Sequence, residues 1–149
     1  MQKHRAKRRA GFTRRATAAL ALLAVATFMN LILLYWGKRY RLLTGSAAAY
    51  YIGWLARGTE SGIGLQGLAL FLGLGLCLVY VICLYRANNQ GLAMGFLFYA
   101  ADTALLLITV LFAVANPESC LLELLTHGAM LWILYRGAAA QQRPKRTAP

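Results

Sequence analysis

Residues 63–85 read IGLQGLALFLGLGLCLVYVICLY, an unbroken run from Ile63 to Tyr85 without one charged side chain. At ~1.5 Å of rise per residue it makes a helix about 34 Å long, enough to cross ~30 Å of hydrocarbon. The sequence on either side repeats the pattern. Arg86 and the turn-like Asn88-Asn89-Gln90-Gly91 lead into Leu92–Ala115, which stops at Asn116-Pro117; Cys120–Tyr135 follows and ends at Arg136-Gly137. In the other direction, Ala16–Trp36 is entered from Arg14-Arg15 and left at Gly37-Lys38-Arg39. Asn116-Pro117-Glu118 suits the start of the last helix. It offers an Asn cap, a Pro at the first helical position where its missing N–H costs nothing, and an acid in the first turn. The expected fold is all-α: a four-helix transmembrane bundle with spans at 16–36, 63–85, 92–115 and 119–136, and basic tails at 1–15 and 138–149.

Composition agrees. Of 149 residues, 60% are apolar and 13% charged, with 16 Lys+Arg against 4 Asp+Glu. A soluble domain carries about a quarter charged residues. The chain therefore lacks the polar surface of a water-soluble globule, and its mean hydropathy is +0.55. Four spans of about 20 residues leave little room for a separate catalytic domain.

Seven basic residues (Lys3, Arg5, Lys7, Arg8, Arg9, Arg14, Arg15) precede the first span, Arg86 separates the second and third, and Arg136, Arg143, Lys145 and Arg146 follow the fourth. Lys38, Arg39, Arg41 and Arg57 fall on the other side. The positive-inside rule then places both termini in the cytoplasm, and the expected location is a bacterial cytoplasmic (inner) membrane. Ala24-Val25-Ala26 resembles a signal-peptide cleavage site, but the apolar run continues for ten residues beyond it, which reads as an uncleaved anchor. Between the first two spans, Tyr50, Tyr51, Trp54 and Leu55 share one side of a helix over 46–57 that is too short to cross. Its aromatics suit the headgroup region, so it is expected to lie at the outer interface; a re-entrant or fifth spanning piece that also uses Leu42 and Leu43 is the alternative.

The net charge of +12 sits in tails and span flanks rather than on a folded basic face. Such clusters attract anionic lipid headgroups, the partner expected here in place of nucleic acid. Self-association or a place in a larger membrane complex is also open to such a chain. Cys77, Cys83 and Cys120 form no CxxC pair, which removes thiol-oxidoreductase chemistry. One intramembrane His excludes a bis-histidine haem site within the chain. No Gly-x-Ser-x-Gly, His-Glu-x-x-His, phosphate-binding glycine loop or acid-rich Mg²⁺ motif occurs, so no catalytic residue and no cofactor is expected.

Few polar groups remain within the spans: Asn30, Gln66, Asp102, Glu123 and His127. An ionised group at mid-bilayer costs roughly 2.5–3.5 kcal/mol on insertion scales, so these residues should face the bundle interior. Counted at ~1.5 Å per residue, Asp102 lies about 15 Å in and His127 about 13 Å; Asn30 and Glu123 lie near 20 Å. Two polar layers follow, Asp102 with His127 and Glu123 with Asn30. Helical spacing extends them into stripes: Cys120, Glu123, His127 and Met130; Gly95, Tyr99, Asp102 and Thr109; Gln66, Gly73, Cys77 and Tyr80. Gly91 and Gly95 form a GxxxG that can serve as turn and packing site or as a dimer contact. The last span is marginal, since Glu123 cancels most of the ~0.3–0.6 kcal/mol gained per Leu or Ile, and it is expected to insert as a hairpin with Asp102 as partner.

Two roles compete for Asp102, Glu123 and His127: a hydrogen-bonded network that fixes helix register, or a proton or ion relay built on a His that titrates near neutrality. Glu123-x-x-x-His127 with Asp102 is a poor metal pattern, and no metal is expected. The C-terminal half resembles small, uncharacterised four-helix bacterial membrane proteins. The resemblance is carried by Asn88-Asn89-Gln90, Asp102-Thr103, His127, Trp132, Tyr135, Arg136 and Gly137, over about 50 of 149 residues. It departs from their pattern at Gly128, where an aromatic or aliphatic neighbour of the His is usual. It implies the fold and directs attention to Asp102 and His127, without an activity. The expected function is a non-enzymatic binding, scaffold or accessory membrane protein; the alternative is a small proton- or ion-coupled transporter or channel using Asp102, Glu123 and His127, with Asn30 and Tyr99 beside them.

Overall fold

The computed structural model describes residues 2–36, 42–47, 62–87, 90–111 and 117–142, with side chains placed for 8–36, 42–47, 67, 68, 70–87, 90–108, 111 and 121–142. Four α-helices account for most of them, and no strand occurs among the described residues: α1 Gln2–Tyr35, α2 Gly62–Tyr85, α3 Gly91–Leu111 and α4 Pro117–Gln142. By length and composition, α1 over Arg8–Tyr35 and α3 over Gly91–Ile108 are able to cross a membrane. The helices form a ring in which α1 packs on α2 and α4, α3 packs on α2 and α4, and the α1–α3 diagonal makes only a slight contact.

Both outer helices run further than the apolar periodicity suggests. Helix α1 begins at Gln2, so the basic segment 1–15, expected as a tail, largely belongs to it. Helix α4 continues past Arg136 to Gln142. Ala138-Ala139-Ala140 explains the extension, since Ala has the highest helix propensity and no proline intervenes before Pro144. The extension is also anchored: Gln141 Nε2 donates to the carbonyl of Ala87 in the α2–α3 turn. That turn closes through Gly91 N–H donating to Arg86 O at 3.0 Å. A Cβ at Gly91 would run into the backbone of Cys83 and Arg86, which fixes glycine there.

Phe12 and Ala16 of α1, Ala87, Leu92 of α3 and Gly137 of α4 therefore meet at one end of the bundle. The start of α1, the α2–α3 turn and the end of α4 share that end, which is the arrangement the distribution of Lys and Arg implies. Gly95 packs on the Leu20 side chain within the same chain, while Gly91 makes the turn, so both glycines of the GxxxG are used internally.

Gly137 and Gly128 make a paired test. A Cβ at Gly137 would collide with the Cβ of Ala16, which has no rotamer to swing aside, whereas Gly128 faces open space. Gly128→Ala is expected to raise stability in detergent by about 0.5–1 kcal/mol through helix propensity. Gly137→Ala gains the same term but adds overpacking of about 1–3 kcal/mol, so its net effect should be a loss. Thermal unfolding of the two variants against wild type reads the opposite signs.

Candidate functional site

The bundle buries a cluster of polar side chains beside an apolar core and carries large apolar side chains on its outer surface. Asn30, Asp102, Glu123 and His127 are 4%, 3%, 1% and 0% exposed, while Phe71, Leu78, Leu111, Leu121 and Leu125 lie on the outer surface. Of the expected stripes, Glu123, His127 and Met130 on α4, Gly95, Tyr99 and Asp102 on α3, and Gly73 and Tyr80 on α2 are buried, while Cys77 on α2 is half-buried. The side chains of Gln66, Thr109 and Cys120 lie outside the described residues.

The organising feature is the irregular segment 42–47, which turns back into the bundle after α1. Before Ala47 its backbone groups lie outside any helix or sheet, with one turn bond of their own from Gly45 N–H to Leu42 O at 3.2 Å, and buried polar groups must find partners. Three side chains supply these. Asn30 acts as a two-way clamp: its Nδ2 donates to Leu42 O at 2.9 Å and its Oδ1 accepts from Leu42 N–H at 2.6 Å. Thr27, one turn earlier on α1, accepts from Ser46 N–H at 3.0 Å. Asp102 reaches across from α3, where Oδ1 accepts the Ser46 hydroxyl at 2.7 Å and Oδ2 accepts Ala47 N–H at 3.0 Å. Gly45 is pressed against the Ala26 backbone and the Asn30 amide, leaving no room for a Cβ. On α4, Thr126 Oγ1 approaches Leu43 O at 3.4 Å.

Asn30 joins the backbone of Leu42, because a primary amide matches both halves of a peptide unit at once. The helix expected at the outer interface over 46–57 begins with Ser46 and Ala47, and both are buried, each 1% exposed, beside Asp102. Residues 48–57 lie outside the described residues. Small side chains at 45–47 let the segment approach α1 and α3 closely, and Thr27 and Asp102 satisfy it there.

The second half of the core lies around His127. The Thr103 hydroxyl donates to Tyr99 O at 2.8 Å and lies 3.0 Å from His127 Nδ1. With its proton directed to the carbonyl, the Thr103 oxygen is available to accept from Nδ1–H. Tyr99 stacks on the imidazole, with ring centroids 4.7 Å apart and planes inclined by 22°. Tyr80 meets Tyr99 edge-on at 6.5 Å. Asp102 and Glu123 both lie within electrostatic reach of the Tyr99 phenol. The Tyr80 and Tyr99 hydroxyls are buried without a hydrogen-bond partner among the described residues. The level of Asp102 and His127 counted along the helices agrees with this geometry, since Thr103, adjacent to Asp102, meets the imidazole.

Among the described residues no group of three metal-ligating side chains occurs. Cys77 gives its thiol to Ala24 O at 3.4 Å and Cys83 is buried in the core, so both act as packing residues on α2. Thr27, Ser46 and Thr103 are the polar residues that periodicity alone does not single out. The chain matches no family model, no curated protein and no solved structure.

Proposed function

We propose that this chain is a four-span integral membrane protein whose role is non-enzymatic, as a scaffold or accessory subunit that binds partners or lipid, with both termini on the cytoplasmic side of a bacterial inner membrane. The observation that carries the reading is the use of its intramembrane polar groups. Asn30, Thr27 and Asp102 satisfy the backbone and the serine of the 42–47 segment. Irregular backbone at membrane depth is tolerated where protein covers it, and these residues provide the cover. A core in which His127 and Glu123 are shut off from solvent supports a structural lock more than a conduction path. Exposed apolar side chains on every helix support lipid contact. Gathering the basic ends of α1 and α4 at one pole supports the orientation.

One observation favours proton transfer as a second reading: Tyr99 stacked on His127, with Tyr80 edge-on to Tyr99 and two carboxylates in electrostatic reach of the Tyr99 phenol. The two readings separate in liposomes. Under the scaffold reading, proton flux with wild-type protein equals that with His127→Ala and with empty vesicles. Flux above background that His127→Ala abolishes would replace it with the relay.

A further inference from the structure

Beyond the polar core, the basic pole of the bundle holds a cleft, and we infer that it is a binding site for the phosphate of an acidic phospholipid headgroup. The inference deepens the membrane reading above and rests on it. The cleft has a volume of about 510 Å³ and is lined by Arg8, Arg9 and Phe12 of α1 and by Tyr135, Arg136, Ala139 and Ala140 of α4. Its shape follows from packing. Gly137 brings α4 against Ala16 and Phe12, and beyond that contact the small Ala139 and Ala140 leave a gap between the two helix extensions.

Three guanidinium groups border this gap, and no acid lies near them in sequence. Helix α1 contains no Asp or Glu, and the nearest acid to Arg136 on α4 is Glu123, about 20 Å along the axis and buried in the core. Among the described residues no carboxylate lines the cleft, so its guanidinium groups present positive charge to an outside anion. Arg136 is held in place by aromatic faces, its Cζ lying 4.7 Å from the Phe12 ring centroid and 5.3 Å from that of Trp132. A guanidinium stacked in this way keeps its planar N–H edge for a phosphate, which it can engage through two parallel hydrogen bonds. Trp132 and Tyr135, both half or more exposed, stand at the same level and suit the headgroup region. Below them the exposed Leu125 and Leu121 offer α4 as a surface for the acyl chains. Charge, aromatic level and apolar wall together match an acidic phospholipid better than a soluble phosphate, which uses only the first.

The test uses the full-length chain in neutral detergent, titrated with short-chain phosphatidylglycerol, with phosphatidylcholine of equal chain length, and with glycerol 3-phosphate and inorganic phosphate as competitors. Phosphatidylglycerol should bind at least about tenfold tighter than phosphatidylcholine, and the soluble phosphates should not displace it at equal concentration. The combined Arg8→Gln, Arg9→Gln, Arg136→Gln variant should lose about a hundredfold in affinity, near fivefold for each charge, and Arg8→Gln alone about fivefold. The single variant retains the Arg136 contacts and guards against misfolding of the triple one. Arg14→Gln with Arg15→Gln, exposed on α1 outside the cleft, should change affinity less than either. An equal loss in that control would overturn the site in favour of diffuse charge. Displacement by soluble phosphate would overturn the lipid assignment, and equal binding of phosphatidylcholine would overturn the role of the arginines. Alkaline carbonate extraction of native membranes reads the membrane reading separately, since release of the chain there contradicts integration whatever the titration gives.

Discussion

Asp102→Ala is expected to lower both the thermal midpoint in detergent and the steady-state level of inserted protein, by an amount equivalent to about 2–4 kcal/mol of folding stability. The substitution strips the partner from two buried donors at once, the Ser46 hydroxyl and Ala47 N–H. Each donor left unsatisfied costs about 1–3 kcal/mol, although interhelical hydrogen bonds in membranes average nearer 0.6 kcal/mol because the unfolded state in lipid also finds partners. A second effect has the opposite sign. Removing an ionisable side chain makes α3 by itself easier to insert, by up to roughly 2.5–3.5 kcal/mol on insertion scales. The two effects are separable. Glycosylation mapping of α3 alone should show improved insertion in Asp102→Ala, while the full chain should unfold at lower temperature and accumulate less. If the full chain is as stable as wild type, the carboxylate does not hold the segment.

Asn30→Leu should be nearly as damaging, at about 2 kcal/mol, and more local in its consequence. Leucine keeps the branched four-atom skeleton of asparagine, although its methyls are bulkier, and it is favoured in hydrocarbon by ~0.3–0.6 kcal/mol, so insertion predicts no loss. The loss comes from Leu42: its N–H would lose the acceptor it now has at 2.6 Å, and its C=O, losing the donor at 2.9 Å, would keep only the turn bond from Gly45 N–H at 3.2 Å. Gly45 sharpens the effect, because it packs directly on the Asn30 amide and has no slack for a differently shaped group. The segment is expected to open while the four helices remain folded, since local opening requires less than global unfolding. With Thr44→Cys as a reporter, membrane-impermeant maleimide should label the Asn30→Leu background several times faster than the Asn30 parent. Equal labelling would show that Asn30 does not restrain 42–47.

Much of the bundle interior was legible from helix period alone. Glu123, His127 and Met130 fall at spacings of four and three, Tyr99 and Asp102 at three, and all five are buried, because a polar side chain has only the interior in which to find partners. Counting rise per residue put Asp102 and His127 at one depth, and Thr103 links that level of α3 to the imidazole. The partners of Asn30 and the placement of Ser46 and Ala47 were not legible. Periodicity describes regular elements, whereas Leu42–Ala47 is irregular and its position is set by which side chains can satisfy its backbone. A trace of that did exist in Thr27 and Asn30, three residues apart on one face of α1, opposite the Gly45-Ser46 pair. The helical ends were under-read for a different reason: charge at 2–15, and small residues at 137–140 followed by two glutamines, interrupt the apolar run without interrupting the helix. Sequence ended the spans where hydrophobicity ended. Helix propensity and the Gly137–Ala16 contact carry both helices further and so create the arginine-lined cleft.

The lock between α3 and the 42–47 segment is tested most directly by a double-mutant cycle of Asp102→Ala and Ser46→Ala, read by reversible unfolding of the full chain in mixed micelles. If the carboxylate holds the serine, Ser46→Ala costs about 1 kcal/mol in the wild-type background and close to nothing once Asp102 is alanine. If the two losses simply add, the carboxylate and the serine are not coupled, and the polar core of this protein exists for some purpose other than holding that segment in place.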